Sequence, residues 1–155
     1  MYANQRRTIL MADDDAEDCL LVRDAFREAQ LPHDLRFVRH GLELLDYLRR
    51  EGEYQDGKCA PLPDLILLDI KMPCMDGRET LRALKSDQRL RHIPVIALTT
   101  SIALDDVELC YDFGANSYIA KPTSFRDLVR IVEIIAKYWF ETVELPPKLL
   151  HGKTH

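Results

Sequence analysis

Three short runs in this chain are almost uninterrupted apolar residues: TILMA (Thr8 to Ala12), DLILL (Asp64 to Leu68) and PVIALT (Pro94 to Thr99). A strand wetted on one side alternates apolar and polar residues. Runs of this kind instead fit strands covered on both faces of a parallel sheet. Two weaker runs, DLRFVR (Asp34 to Arg39) and SYIA (Ser117 to Ala120), bring the candidate strands to five. Between and after them lie stretches with apolar residues at three- and four-residue spacing, the mark of amphipathic helices. These are Ala16 to Ala29, Leu42 to Arg49, Glu79 to Ser86, Ile102 to Tyr111 and Phe125 to Phe140, the last being the longest. Their expected inner faces carry Cys19, Leu20, Val22, Arg23 and Phe26; Leu42, Leu45 and Leu48; Leu81 and Leu84; and Leu104, Val107 and Tyr111.

Strand followed by helix, five times over, with right-handed crossovers, puts helices on both faces of one sheet. The prediction is an α/β fold: a doubly wound five-stranded parallel sheet in the flavodoxin-like order 2-1-3-4-5. A chain of 155 residues is long enough to bury a core without disulfide or metal staples. Residues 1–140 read as one domain and 141–155 as a C-terminal extension, since the Pro146-Pro147 pair bars continuation of the last helix. A polar loop, Glu51 to Pro63, interrupts the rhythm before the third strand. No apolar run approaches bilayer length, and the start MYANQRRTILMADDD is no signal peptide, so a cytoplasmic protein is expected. Cys19, Cys59, Cys74 and Cys110 form no C-x-x-C pair and read as reduced thiols. A net charge of −5 argues against nucleic acid as a partner.

The third run ends on a carboxylate, Asp69, and the first on three, Asp13, Asp14 and Asp15. In a doubly wound sheet, ligands sit beyond the carboxyl ends of the central strands. These acids should therefore converge on one rim, where their mutual repulsion calls for a cation. A hard divalent ion with oxygen ligands, Mg2+, fits them. The fourth strand brings Thr99, Thr100 and Ser101 to the same rim, and the fifth brings Lys121. Together these make a phosphoryl-transfer constellation. Asp69 is the candidate nucleophile, Lys121 the partner of one phosphoryl oxygen and Thr99 the hydrogen-bond donor to another. Asp15 reads as the cap of the first helix.

The acid pair Asp13-Asp14, LLDIKMPCMDG with Asp69, LTTS with Thr99, and YIAKP with Tyr118 and Lys121 occur in this order. This set resembles the receiver domain of two-component response regulators over nearly everything from Thr8 to Phe140. The resemblance implies an aspartyl-phosphate formed at Asp69, with the chain serving as phosphoacceptor rather than as an enzyme. It implies Mg2+ held directly by Asp14, Asp69 and the backbone carbonyl of Lys71, and by Asp13 through water. It also implies a switch in which Thr99 moves toward the phosphate and Tyr118 changes rotamer. Thr100 stands where alanine is commoner in that family, which implies slower access to the phosphoryl group. The long loop before the third strand, together with HGLELLDYLRREGEY and the tail YWFETVELP, looks most like the single-domain response regulators of bacterial and cyanobacterial phytochromes. That likeness implies a phytochrome-type sensor histidine kinase as partner. No segment long enough for a DNA-binding domain follows, so output through protein contacts is expected.

The last helix invites a further expectation. Ser124 reads as its cap, and Leu128, Ile131, Val132, Ile135 and Trp139 as its core stripe. Val129, Ile134, Tyr138 and Phe140 widen the apolar face, and Val143, Leu145, Pro146, Leu149 and Leu150 continue it into the tail, which suggests a symmetric homodimer. The histidines, His33, His40, His92, His151 and His155, show no metal spacing and read as surface or turn residues. Two rival functions fit less well. A Mg-dependent phosphatase with an aspartate nucleophile needs a second aspartate two residues on, where this chain has Lys71. A flavin carrier needs a Ser-, Thr- and Gly-rich phosphate loop after the first strand, where DDDAED would repel the phosphate.

Overall fold

The computed structural model describes residues 5–57 and 59–147. Five strands alternate with five helices: β1 (Thr8–Ala12), α1 (Ala16–Glu28), β2 (Asp34–Val38), α2 (Gly41–Arg49), β3 (Leu65–Leu68), α3 (Gly77–Ser86), β4 (Val95–Thr99), α4 (Leu104–Asp112), β5 (Ser117–Ala120) and α5 (Phe125–Ala136). The sheet has the order β2-β1-β3-β4-β5 with every pair parallel, as the pattern predicts. The continuously apolar runs occupy its centre. All of β3 and β4 and all but the first residue of β1 are buried, whereas the edge strands β2 and β5 are mostly half-exposed.

Side chains alternate across the sheet and build two cores. Leu10, Ile66, Leu68 and Ala97 face one side and pack with Leu44, Leu48, Leu81 and Leu84 from α2 and α3. Ile9, Met11, Leu65, Leu67, Ile96 and Leu98 face the other and pack with Val22, Phe26, Val132 and Ile135 from α1 and α5. Full burial of each such aliphatic side chain contributes roughly 1.5–3 kcal/mol.

Helix phasing departs from expectation at four places. In α1 the buried residues are Val22, Ala25 and Phe26, while Leu20 is exposed and Cys19 half-buried. In α2, Leu44 and Tyr47 join Leu45 and Leu48 inside, and Leu42 is exposed. In α4 the expected stripe is turned outward: Leu104 is 82% and Tyr111 50% exposed, Val107 is half-buried, and the buried residues are Asp106 and Cys110. Polar contacts to Asp106, not apolar spacing, set that rotation. In α5, Ile131 and Trp139 are only half-buried, and Phe140 is buried instead, with its ring centroid 4.6 Å from that of His33. The helix leaves α geometry there for a π turn, Lys137–Thr142. A change in residues per turn breaks any periodicity read through it.

Caps fix where helices begin. Asp15 accepts from the amides of Glu17 and Asp18, and Ser124 from that of Asp127, both as predicted. His40, read as a surface or turn residue, lies in the turn before α2 and caps that helix, its Nδ1 accepting from Glu43 N–H at 3.2 Å. His33 is likewise half-buried, its Nδ1 accepting from Arg7 N–H at 3.1 Å. The Lys121–Pro122 bond is trans. In the extension, Leu145 packs on the second core, whereas Leu149 and Leu150 lie outside the described residues.

One glycine is required by a close approach. A Cβ on Gly77, at the start of α3, would fall on the carbonyl oxygen of Asp69 and within 2.6 Å of Ile70 Cα. Backbone cannot give way as a flexible side chain can, so α3 sits against the end of β3 only if residue 77 is glycine. Gly77→Ala is expected to destabilise the protein by about 1–3 kcal/mol, the usual range for overpacking, read as a lower urea midpoint at unchanged slope.

Candidate functional site

The parallel pairing of β1 and β3 places Ala12 opposite Leu68, so the next residues, Asp13 and Asp69, emerge side by side at one edge. Backbone bonds hold both: Asp69 N–H donates to Ala12 O and Asp13 N–H to Val38 O, each at 3.0 Å. Asp13 and Asp69 are buried, and Asp14 is exposed at the mouth. One carboxylate oxygen from each of the three lies within 4.8 Å of the others. Lys71 N–H donates to Asp69 Oδ1 at 3.2 Å, which orients that carboxylate.

Lys121 arrives from β5. Its amide donates to Thr99 O at 2.8 Å, and its side chain crosses the end of β4 to reach the acids. The ammonium lies 2.6 Å from Asp13 Oδ2, 2.7 Å from Asp18 Oδ2 and 3.0 Å from Asp69 Oδ2. An ammonium has three N–H donors, and each has a carboxylate acceptor here. Burial pushes the Asp13 carboxyl up to about 6, against the hydrogen bond from Lys121 that favours its ionised form. Burial also disfavours the charge on Lys121. Its bonds to Asp13 and Asp18, with the nearby charge of Asp69, outweigh that and hold it above the ordinary lysine range. Cys19, beside Asp13, is raised to about 11, first by burial and then by the Asp13 charge, so it is a poor nucleophile.

The other predicted residues are also at this edge. Thr99 ends β4 fully buried, and its Oγ1 accepts from Ser101 N–H at 3.4 Å. Tyr118 Oη donates to Ser101 O at 2.8 Å, tying β5 to the loop after β4. Thr100, beside Thr99, is exposed.

Sequence reasoning missed two groups. Asp18 is the first. It stands three residues after the cap Asp15, and helical side chains lean toward the N-terminus, so it reaches back over the acid edge. The spacing from Asp15 was the available signal. The second is a cluster around the buried Asp106. Its carboxylate accepts from Ser101 Oγ at 2.5 Å and lies 3.5 Å from both Lys71 Nζ and Arg78 Nη1. The Ser101 hydrogen bond, then the charges of Lys71 and Arg78, hold Asp106 below the usual carboxylate range against its burial. Nothing in LDD marks that residue in advance.

The donor set at the edge is all oxygen, on strand ends, with the half-buried Lys121 to offset part of the charge. That fits a hard divalent cation held by a few carboxylates and water.

The sequence matches the family described as Response regulator receiver domain over residues 9–133. It is 38% identical over 144 residues to response regulator Rcp1 of Synechocystis sp., covering 93% of this chain and 96% of that one. A crystal structure of the Mn2+-bound form of Rcp1 superposes with a TM-score of 0.81 at 38% identity, covering 91% and 99% of the two chains. The phosphorylated cyanobacterial phytochrome response regulator RcpA is 41% identical with a TM-score of 0.84, covering 92% of this chain and 100% of that one. A response regulator in red light signaling of R. palustris is 37% identical with a TM-score of 0.87, covering 92% and 99%.

Titration with Mg2+ is expected to raise the thermal midpoint. At a hundred times the dissociation constant, binding adds about 2.7 kcal/mol, or roughly 5–10 °C for a domain of this size. Asp14→Asn, at an exposed position, should leave the metal-free midpoint nearly unchanged and remove most of the rise.

Proposed function

This chain belongs to the response regulator receiver-domain family, and from that premise we propose that it is a phospho-switch whose acceptor is Asp69. The phosphoryl group passes from a phosphohistidine nitrogen of a sensor kinase to a carboxylate oxygen of Asp69; the N–P bond breaks as the O–P bond forms. The observation that carries this reading is the meeting of Asp13, Asp69 and the Lys121 ammonium, 3.0 Å from Asp69, at the end of the two central strands. Lys121 is already placed to neutralise an oxygen of the incoming group. Asp14, Asp69 and the Lys71 carbonyl would hold Mg2+, with Asp13 acting through water, and the bound ion would supply screening of phosphoryl charge. Thr99 supplies its hydroxyl by leaving its bond to Ser101. Because Tyr118 holds the carbonyl of the same Ser101, displacement of this loop reaches β5 and the outer face of α4.

The named relatives support a phytochrome-type histidine kinase as the partner, and a cytoplasmic setting agrees with the lack of any described helix long and apolar enough to cross a membrane. Output goes through protein contacts, without nucleic acid. The chain is no enzyme toward a separate substrate. The phosphatase alternative has no second acid two residues after Asp69; Lys71 stands there, its ammonium 3.5 Å from Asp106. Residues 1–140 are the receiver and 141–155 a C-terminal extension, and a homodimer surface begins on α5, where Ile134 is 62% exposed, and continues into the π turn, where Tyr138 is 50% exposed.

Acetyl phosphate with Mg2+ is expected to add one phosphoryl group, seen by intact mass, and Asp69→Asn to abolish the addition. An unmodified wild type, or an Asp69→Asn variant modified to the same extent, would falsify the assignment. The dimer is tested by light scattering: Ile134→Glu, at an exposed position, is expected to shift a dimeric wild type to monomer without changing its circular dichroism. Trp139 is unsuited to this test because it packs on the core. A monomeric wild type ends the dimer claim.

A further inference from the structure

The Lys121 ammonium has two jobs that compete. In this structure all three of its N–H groups are engaged by carboxylates, and the contact to Asp18, at 2.7 Å, is shorter than that to Asp69, at 3.0 Å. Asp18 belongs to neither central strand and is not in the acid trio that can share a cation. It comes from the first turn of α1, held there by the Asp15 cap, and is 29% exposed, so its carboxylate can turn to water when released. The pair is only partly exposed, with the Lys121 side chain 11% accessible, so solvent screens its charges incompletely. The Asp18 charge acts on any anion that approaches Asp69 and on the Lys121 ammonium that such an anion would engage.

We infer that Asp18 is a positioning residue that holds Lys121 toward α1 and restrains its transfer to the phosphoryl group. This rests on the reading of Asp69 as acceptor and adds a rate control to the same site. Asp13 cannot serve as that control, because it is buried with its backbone tied to β2 and its carboxylate accepting from Asp15 N–H at 2.9 Å. Asp18 is the one of the three acceptors that can be removed without stripping the acid edge. Its neutral amide isostere keeps the hydrogen-bond acceptor and loses the charge, so Asp18→Asn weakens the hold on Lys121 while α1 stays capped by Asp15.

The experiment measures the rate of acetyl phosphate modification, by intact mass in saturating Mg2+, for wild type, Asp18→Asn and Asp18→Glu. Asp18→Asn is expected to accelerate modification ~5-fold, as removal of one unit charge a few ångströms away in a mostly wet setting implies. The advantage should shrink in 0.5 M salt, since screening already weakens the Asp18 charge there. Asp18→Glu is expected to return the rate to within about twofold of wild type. A parallel readout is the 15N ammonium signal of Lys121, which should exchange its protons faster in Asp18→Asn than in wild type or Asp18→Glu. Equal or slower modification in Asp18→Asn, equal acceleration in Asp18→Glu, or an unchanged ammonium signal overturns the inference. If wild type takes no phosphoryl group at all, the reading of Asp69 fails, and the ammonium signal alone then decides whether Asp18 holds Lys121.

Discussion

A single ammonium group joins acids from three elements: Asp13 after β1, Asp69 after β3 and Asp18 on α1. Carboxylates at the ends of two adjacent buried strands are unfavourable neighbours. Burial disfavours the charge on Asp13, and the neighbouring Asp69 carboxylate adds to that cost. Lys121 makes the arrangement tolerable, and it can do so only because β5 lies beside β4, so that the residue just past the strand reaches across the sheet edge. The strand order and the chemistry of the edge are therefore one constraint. A topology that put β5 elsewhere would leave the acids unneutralised.

Around that centre the structure separates a tight part from a looser one. The tight part is the backbone of β1 and β3 with α3 seated on it at Gly77, where no side chain fits. The looser part is a polar chain of Thr99, Ser101, Tyr118 and Asp106, reaching out to Lys71 and Arg78. It links the loop after β4 to the β3–α3 loop, to α3 and to the buried side of α4. Lys71 belongs to both parts. Its amide orients Asp69 while its side chain pairs with Asp106. A change in charge at Asp69 thus has a short covalent and hydrogen-bonded route to the surface, which is what the proposed switch requires.

Legibility followed the physics of each residue. The central strands were plain because burial on both faces leaves no room for polar residues, and Asp13, Asp14, Asp69, Thr99 and Lys121 were plain because strand ends share an edge. Asp15 and Ser124 could be read as caps from local spacing alone. The helix faces were less legible. In α4 a buried aspartate, held by serine, lysine and arginine from other elements, turns Leu104 and Tyr111 to solvent. In α5 the π turn sends Phe140 inward against His33, a partner more than a hundred residues away in sequence.

The sequence by itself determined the alternation of strand and helix, the order of the sheet and the list of groups at its edge, because burial, capping and strand-end position are local or periodic signals. Only the tertiary structure decided which acid the lysine prefers, which face α4 shows to water, and that residue 77 has no space for a methyl group. Those outcomes depend on distances of a few ångströms between residues far apart in the chain, and no pattern along the sequence encodes them.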